Sequence, residues 1–285
     1  MIKKFLKYFA FGAVCYIIYL VVTAYPQLDM ISGFSAKSVA SAHFIDGRTL
    51  QAIQQGDNDI PKIDWATNKI NDKQRFVTST VYGLKERKAI FREGLGATLI
   101  DDDFDLTKPY EVPKRNKKEI NLPFPYGDLE PKDTIFSNVD YDQLKTAVDK
   151  AFDKKGEKKQ RTRSVVVLYK GKLIAEKYTE GFTKDSKILG WSMTKSLTAT
   201  YFGILQKQGK INIMARAPIK EWGSDARRDI TINDLLHMNS GLQWEEDYTK
   251  ICDVTKMLFI EKDMTKSQID KPFVGKPNET WNYSS

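Results

Sequence analysis

Two kinds of reactive side chain are scarce in this sequence of 285 residues, which contains only two cysteines and two histidines. Cys15 lies in an apolar stretch far from Cys252, and neither residue type recurs at a zinc-binding spacing. The acidic run at 101–103 lacks the glycine and the terminal glutamate of a calcium-binding loop. We therefore expect no disulfide framework and no metal centre, and the sequence implies no cofactor.

A motif for binding nucleic acid is also missing, although the sequence carries a formal net charge of +8. The densest basic runs lie at 114–118 and 154–163. Aromatic side chains do not interleave with either run, as they do on surfaces that bind single strands. We interpret both runs as solvated linkers or faces and predict no nucleic-acid partner. The charge stays compatible with an anionic membrane surface or polymer nearby.

The N-terminus carries an apolar run that follows positive charge. Lys3, Lys4 and Lys7 come first, and no charged residue occurs from Tyr8 to Ala24. This length is just enough for a helix across a hydrocarbon core of about 30 Å. The charge distribution favours a single-pass cell-membrane protein whose remainder faces the periplasm or extracytoplasmic side. The alternative is a cleaved signal peptide and a secreted protein, because residues 22–24 resemble a cleavage site.

The composition, with 41% apolar and 29% charged residues and no internal repeat, is typical of a globular protein. We divide the sequence into an anchor or signal segment at 1–24, an N-terminal extracytoplasmic extension at 25–134 and a domain at 135–285. The oligomeric state is left open by the sequence.

The extension contains three recognisable segments. A helix is predicted before the turn at 46–47, and residues 77–82 predict a strand or an apolar helix. Proline, aspartate and lysine predict an irregular linker at 101–134.

The domain alternates helical and strand patterns, which predicts an α/β fold. Apolar residues recur at helical spacing over 139–153. Two β-branched runs, 164–169 and 173–178, flank a short turn that contains glycine and predict an antiparallel hairpin. A further helix is predicted over 193–208, ended by Gly209.

Ser192 stands at the start of this last helix, three residues before Lys195. Residues three apart share a helical face, so the two side chains lie side by side. Unpaired backbone N–H groups at a helix N-terminus favour negative charge. A lysine that is held unprotonated against a serine hydroxyl can take its proton, which makes the serine a nucleophile. A serine that starts a helix beside a solvated lysine has the same pattern, so the tetrapeptide alone leaves both readings open.

Two downstream segments favour the hypothesis that Ser192 is a nucleophile. Thr231 and Asp234 form the pattern of a capping box, and we expect Gly241 to end the helix that follows. Near the end of the sequence, Tyr283 could supply a phenol to the same site.

The order of these segments resembles that of class C β-lactamases, D-alanyl-D-alanine peptidases, related esterases and aminohexanoate-oligomer hydrolases. Ser192–Lys195 matches their Ser-x-x-Lys motif. Leu235–Leu242 is similar to their Leu-Leu-x-His-x-Ser-Gly-Leu segment, and Tyr283–Ser285 to their Tyr-x-Asn/Ser motif. Residues 44–48 and 91–99 also resemble exported members. The resemblance implies a β-lactamase/transpeptidase-like fold, with an antiparallel sheet and a helical lobe.

The family's third motif, Lys/His-Thr/Ser-Gly on a later strand, does not occur by Ser285. We therefore expect the C-terminal strands, and with them one half of the oxyanion hole, to be missing from this sequence. Asn278 stands where the family usually has glycine, a tolerable change because asparagine enters left-handed conformations readily.

The resemblance implies roles for four residues in a serine hydrolase that acts on amide or ester bonds. Ser192 would form the acyl-enzyme and give one oxyanion donor, Lys195 would activate it, and Tyr283 would relay a proton. Ser285 would orient the substrate or Lys195. The substrate would be a small molecule or peptide-like. The alternatives are a penicillin-binding or acylated sensor module without turnover, and an inactive truncated scaffold.

Four further polar residues are interpreted as structural. His237 follows a predicted helix, and Ser240 is typical of a turn or capping hydroxyl. Glu245 and Glu246 are adjacent, so we expect their side chains to point apart rather than to form a pair of catalytic carboxylates.

Overall fold

The structure is a computed structural model that describes residues 2–116, 118–154, 156 and 159–285, with side chains from Leu6 onward. The side chains of Lys3 and Lys4, and Lys117, Lys155 and Lys158 of the two basic runs, lie outside the described residues. The chain divides into two compact units, one formed by Met1–Pro109 with Leu189–Ser285 and the other by Tyr110–Ile188. The division of the sequence at residues 24 and 134 stays a prediction.

The larger unit combines helices with one antiparallel sheet. Its helices are α1 (Ile2–Thr23), α2 (Tyr25–Asp46), α3 (Leu50–Gln55), α5 (Thr194–Lys207), α6 (Ile232–Leu236), α7 (Asp253–Phe259) and α8 (Met264–Ile269). Its sheet has the order β1 (Ala66–Asn71), β2 (Phe76–Val81), β3 (Leu84–Arg92) and β4 (Gly96–Ile100). The smaller unit contains α4 (Tyr141–Lys150), β5 (Ser164–Tyr169) and β6 (Lys172–Tyr178). The predicted combination of helices with antiparallel sheets is confirmed.

The N-terminal helix α1 presents its apolar side chains to the outside. Tyr8, Phe9 and Phe11 are among those exposed. Within the described residues, Leu6–Asp46 is the helical stretch that is long and apolar enough to cross a membrane, by length and composition only.

Helix α2 packs on the sheet and forms the main core with it. It ends at Gly47, which adopts a left-handed φ of 71°, so the helix predicted before this turn is confirmed. The core of this interface contains Ala36, Val39, Ala40, Ala42, Ile53, Val77, Ala89 and Ala97. Small side chains on α2 let its backbone approach the sheet closely. Residues 77–81 of the predicted segment 77–82 lie in the strand β2, with alternate residues buried, and Tyr82 follows it with a φ of 53°.

The segment 101–134 contains neither a helix nor an extended strand among its described residues, which confirms the predicted irregular linker. In the smaller unit, Asp140 accepts hydrogen bonds from the first turn of α4 and starts this helix. The hairpin β5–β6 is confirmed too. Its two turn residues, Lys170 and Gly171, both have positive φ, as a type I′ turn requires.

The helix that follows Ser192 is confirmed as α5, and Gly209 after it is left-handed with a φ of 68°. None of its side chains is buried among the described residues, so its apolar residues Leu197, Tyr201 and Ile204 lie exposed.

Helix α6 begins with the predicted capping box of Thr231 and Asp234. The prediction that Gly241 ends it is wrong, because Met238, with a φ of 57°, takes the left-handed position after Leu236. Gly241 belongs to the next turn, where a Cβ atom would come within 2.0 Å of the Gly275 carbonyl oxygen. Glycine is needed there for a close backbone approach.

Candidate active site

Ser192 lies in a 3₁₀ turn, Trp191–Met193, which leads directly into α5. Trp191 has a φ of 43°, an unusual conformation for a bulky residue that costs about 1–2 kcal/mol. Its ring stacks on Phe34 of α2, with ring centroids 5.8 Å apart, and Phe34 in turn packs edge-on against Phe259 of α7. Aromatic packing from two other helices therefore supports the turn that presents Ser192.

Lys195 lies one helical turn after Ser192 and joins the four residues singled out in the sequence. Its Nζ atom donates to Ser192 Oγ at 3.0 Å, to Tyr283 Oη at 3.1 Å and to Ser285 Oγ at 3.3 Å. An ammonium group has three N–H donors, and here each has one acceptor. The structure thus brings Ser192, Lys195, Tyr283 and Ser285 together around one amine.

The neighbours of Tyr283 perturb the pKa of its phenol. The pKa of Tyr283 is lowered from its ordinary value, and the largest cause is a hydrogen bond with Ser192. A hydrogen bond with Lys195 and the positive charge of Lys195 lower it further. The carboxylate of Glu246 opposes this effect through its charge. A phenol with a lowered pKa passes its proton more readily than a free tyrosine does.

Tyr283 is held in place because the last residues dock on the loop after α6. Asn282 donates its backbone N–H to Met238 O at 2.9 Å and its side-chain amide to Trp244 O at 3.0 Å. Further back, Asn278 N–H donates to Asn239 O at 2.9 Å. The hydrogen bonds of Asn278 and Asn282 therefore hold the segment that precedes Tyr283 at both of its ends.

Asn278 adopts a left-handed φ of 67°, a conformation that asparagine enters readily. Its side-chain N–H donates to Asp234 Oδ1 at 2.8 Å. The other oxygen of Asp234 accepts from the backbone N–H and the hydroxyl of Thr231. Burial raises the pKa of Asp234, but the hydrogen bonds from Thr231 and Asn278 outweigh it and leave this pKa lowered.

A cavity of about 680 Å³ opens beside Ser192. Aromatic and aliphatic side chains line much of it, including Phe34, Leu99 and Phe259. Lys195 and Ser285 border the same cavity. The arrangement can accept an apolar group next to the hydroxyl of Ser192.

Glu246 also contacts this site, although the sequence indicated only that its side chain points away from that of Glu245. Its Oε1 accepts from Ser285 Oγ at 2.7 Å and from Tyr248 Oη at 3.0 Å. Its Oε2 accepts from Ser285 N–H and from Trp244 Nε1, both at 2.8 Å. No local sequence pattern indicates this cluster, because its members meet only when the C-terminal segment docks.

The remaining polar residues make local contacts. His237 donates its backbone N–H to Asn233 O, and Ser240 Oγ accepts from Leu242 N–H at 3.4 Å. Glu245 pairs with Lys250 at 2.5 Å and diverges from Glu246.

Residues 148–285 contain the hairpin β5–β6, the helix α5 and the four residues Ser192, Lys195, Tyr283 and Ser285. No curated protein matches the chain. A model of the family described as Beta-lactamase matches residues 148–285. This match identifies residues 148–285, just under half of the chain, as a domain of the Beta-lactamase family.

Proposed function

We propose that the protein hydrolyses an amide or ester bond through an acyl-enzyme formed on Ser192. The observation that carries this proposal is the position of Lys195 Nζ, 3.0 Å from Ser192 Oγ and 3.1 Å from Tyr283 Oη. A nucleophile, a base and a proton relay are thereby within hydrogen-bonding distance of one another. The match to the Beta-lactamase family supports the same reaction class.

The first half of the reaction forms the acyl-enzyme. Unprotonated Lys195 accepts the Ser192 hydroxyl proton while Oγ attacks the substrate carbonyl carbon. The Ser192 backbone N–H, at the start of a helical segment, stabilises the developing oxyanion. Tyr283 then passes a proton to the leaving group, which departs as an amine or alcohol. The lowered pKa of Tyr283 supports this role.

The second half reverses these roles. Water gives up a proton to the Lys195–Tyr283 pair and attacks the acyl carbon, and the proton returns to Ser192 Oγ as the acid product leaves. Ser285 positions Lys195 or the substrate through its hydroxyl, which lies 3.3 Å from Lys195 Nζ.

The substrate is a small molecule or a peptide-like compound. The cavity beside Ser192 supports an apolar group on the acyl side of the scissile bond, because Phe34, Leu99 and Phe259 line it.

The exposed apolar helix α1 holds this enzyme at the cell membrane. The lysines that precede the apolar run support a cytoplasmic N-terminus, with the hydrolase on the periplasmic or extracytoplasmic side.

Turnover of a chromogenic ester and of a chromogenic β-lactam tests the proposal. The full-length protein in detergent should release many product equivalents per molecule from at least one of them, and Ser192→Ala should release none above background. A burst of one equivalent without turnover would instead identify an acylated sensor. Equal turnover by Ser192→Ala would contradict the mechanism.

A further inference from the structure

We propose that Glu246 is a positioning residue, which holds the Ser285 hydroxyl as an acceptor towards Lys195 and thereby directs the Lys195 lone pair to Ser192 or Tyr283. This inference rests on the proposed function, since it concerns how Lys195 is prepared to act as the base.

The shortest hydrogen bond of the Ser285 hydroxyl sets the direction of its hydrogen bond with Lys195. Glu246 Oε1 lies 2.7 Å from Ser285 Oγ, whereas Lys195 Nζ lies 3.3 Å from it. A carboxylate can only accept, so the single proton of the Ser285 hydroxyl is donated to Glu246. The lone pairs of Ser285 Oγ are then left for donors. Lys195 Nζ donates to Ser285 Oγ, and Tyr248 Oη, which shares Glu246 Oε1, is a second hydrogen-bonding neighbour of the Ser285 hydroxyl.

This direction restricts Lys195 at the moment when it must act as a base. An unprotonated lysine carries two N–H donors and one lone pair. Because Ser285 accepts one N–H, the second N–H and the lone pair are divided between Ser192 and Tyr283, the two groups that exchange protons in the reaction. Glu246 therefore keeps the lone pair away from the one neighbour that takes no part in proton transfer.

Glu246 is itself fixed by its other contacts. Trp244 Nε1 and the Ser285 backbone N–H donate to Oε2, and Tyr248 Oη donates to Oε1. The adjacent carboxylate, Glu245, pairs with Lys250 and has no contact with Ser285 among those described. The chain thus supplies a matched control for Glu246 at the next position.

A glutamine at position 246 would reverse the hydrogen bonds without changing the shape. Two of the four donors, Trp244 Nε1 and the Ser285 N–H, cannot accept, so the amide oxygen must face them. The amide N–H₂ would then face the Ser285 and Tyr248 hydroxyls. Ser285 would accept from the amide and turn its own proton towards Lys195, where it competes with Ser192 for the lone pair.

The test is the second-order rate of covalent labelling of Ser192 by a fluorophosphonate probe, measured on the full-length protein. Glu246→Gln should slow labelling by about 10- to 100-fold, the range expected when a charge-assisted hydrogen bond is lost. Glu245→Gln should stay within about 2-fold of the wild type, as a rim ion pair contributes little. In a Ser285→Ala background, Glu246→Gln should add less than about 3-fold, because its effect passes through the Ser285 hydroxyl.

The pH profile of labelling gives a second readout that a merely structural role would not move. The charged groups that act on Tyr283 are Lys195 and Glu246, and the charge of Glu246 raises the pKa of Tyr283. Glu246→Gln should therefore shift the Tyr283 limb of the profile to lower pH, and Glu245→Gln should not.

Three results would overturn the inference. Labelling of Glu246→Gln at the wild-type rate would exclude the role, and an equal slowing in the Ser285→Ala background would reduce it to general structural support. If Glu246→Gln lowers the melting temperature, the single variant Ser285→Ala becomes the test, because it leaves Glu246 with three of its hydrogen-bond donors. An unchanged labelling rate of Ser285→Ala would then exclude the role of Glu246. A wild-type protein that is not labelled at Ser192 overturns the proposed function, and this inference with it.

Discussion

Asn278 donates its side-chain amide to the carboxylate of Asp234 at 2.8 Å and so ties the C-terminal segment to the cap of α6. Asp234 is almost fully buried and also accepts two hydrogen bonds from Thr231. One carboxylate therefore starts a helix and anchors the segment that leads to Tyr283.

Replacing Asp234 should destabilise the fold. Asp234→Ala removes the capping box and leaves the Asn278 amide unpaired, so we expect the free energy of unfolding to fall by about 2 kcal/mol. The exposed Asp229, paired with Arg216 at 2.7 Å, is the control, and Asp229→Ala should cost less than about 1 kcal/mol. Urea denaturation measures both. Equal losses would exclude the special role of Asp234.

The contribution of Asp234 should depend on pH. Its folded-state pKa is lowered, so its stabilisation is fully present above the unfolded carboxyl pKa of about 4 and is lost as pH falls through the lower folded value. The difference in unfolding free energy between the wild type and Asp234→Ala should stay constant near neutral pH and shrink below about pH 4. A difference that grows on acidification would contradict the assigned hydrogen bonds.

Lys195 should not tolerate arginine. Lys195→Arg keeps the positive charge, but a guanidinium stays protonated and cannot act as a base. We expect turnover to fall by on the order of 10²- to 10⁴-fold. Lys207→Arg, in the last turn of the same helix, should leave turnover unchanged. Near-normal turnover of Lys195→Arg would remove Lys195 from the mechanism.

The orientation of α1 can be tested with single cysteines in a background that lacks Cys15 and Cys252. Gln54→Cys, an exposed position beyond the apolar helix, should react with a membrane-impermeant thiol reagent on intact cells stripped of any outer membrane. Lys7→Cys, before the apolar run, should react only after lysis. The reverse pattern would invert the topology.

Local signals in the sequence predicted the elements that depend on local physics. The capping box at Thr231, the glycines at 47 and 209, and the β-branched runs around 170–171 each fix their own backbone, and the structure confirms them. The end of α6 was misplaced, because Met238 adopts a left-handed conformation that its residue type does not suggest. The helix α5 was predicted from its pattern, but that pattern does not show that its apolar side chains are exposed among the described residues.

The residues of the site also fall into those that the sequence predicted and those that it did not. Ser192 and Lys195 were predicted from a three-residue spacing, and the resemblance supplied Tyr283 and Ser285. The contacts of Glu246 with Ser285 and of Phe34 with Trp191 join residues far apart in the chain. Such contacts depend on how segments dock, which no local pattern encodes.

The most direct test of the account is the site of covalent attachment of a fluorophosphonate probe, mapped by mass spectrometry of the labelled peptide. We expect one adduct, on Ser192, and no labelling of Ser192→Ala. That variant should keep nearly the wild-type melting temperature, because Ser192 is exposed. An adduct on Ser196, Ser240 or Ser284, or equal labelling of Ser192→Ala, would contradict the assignment of the nucleophile.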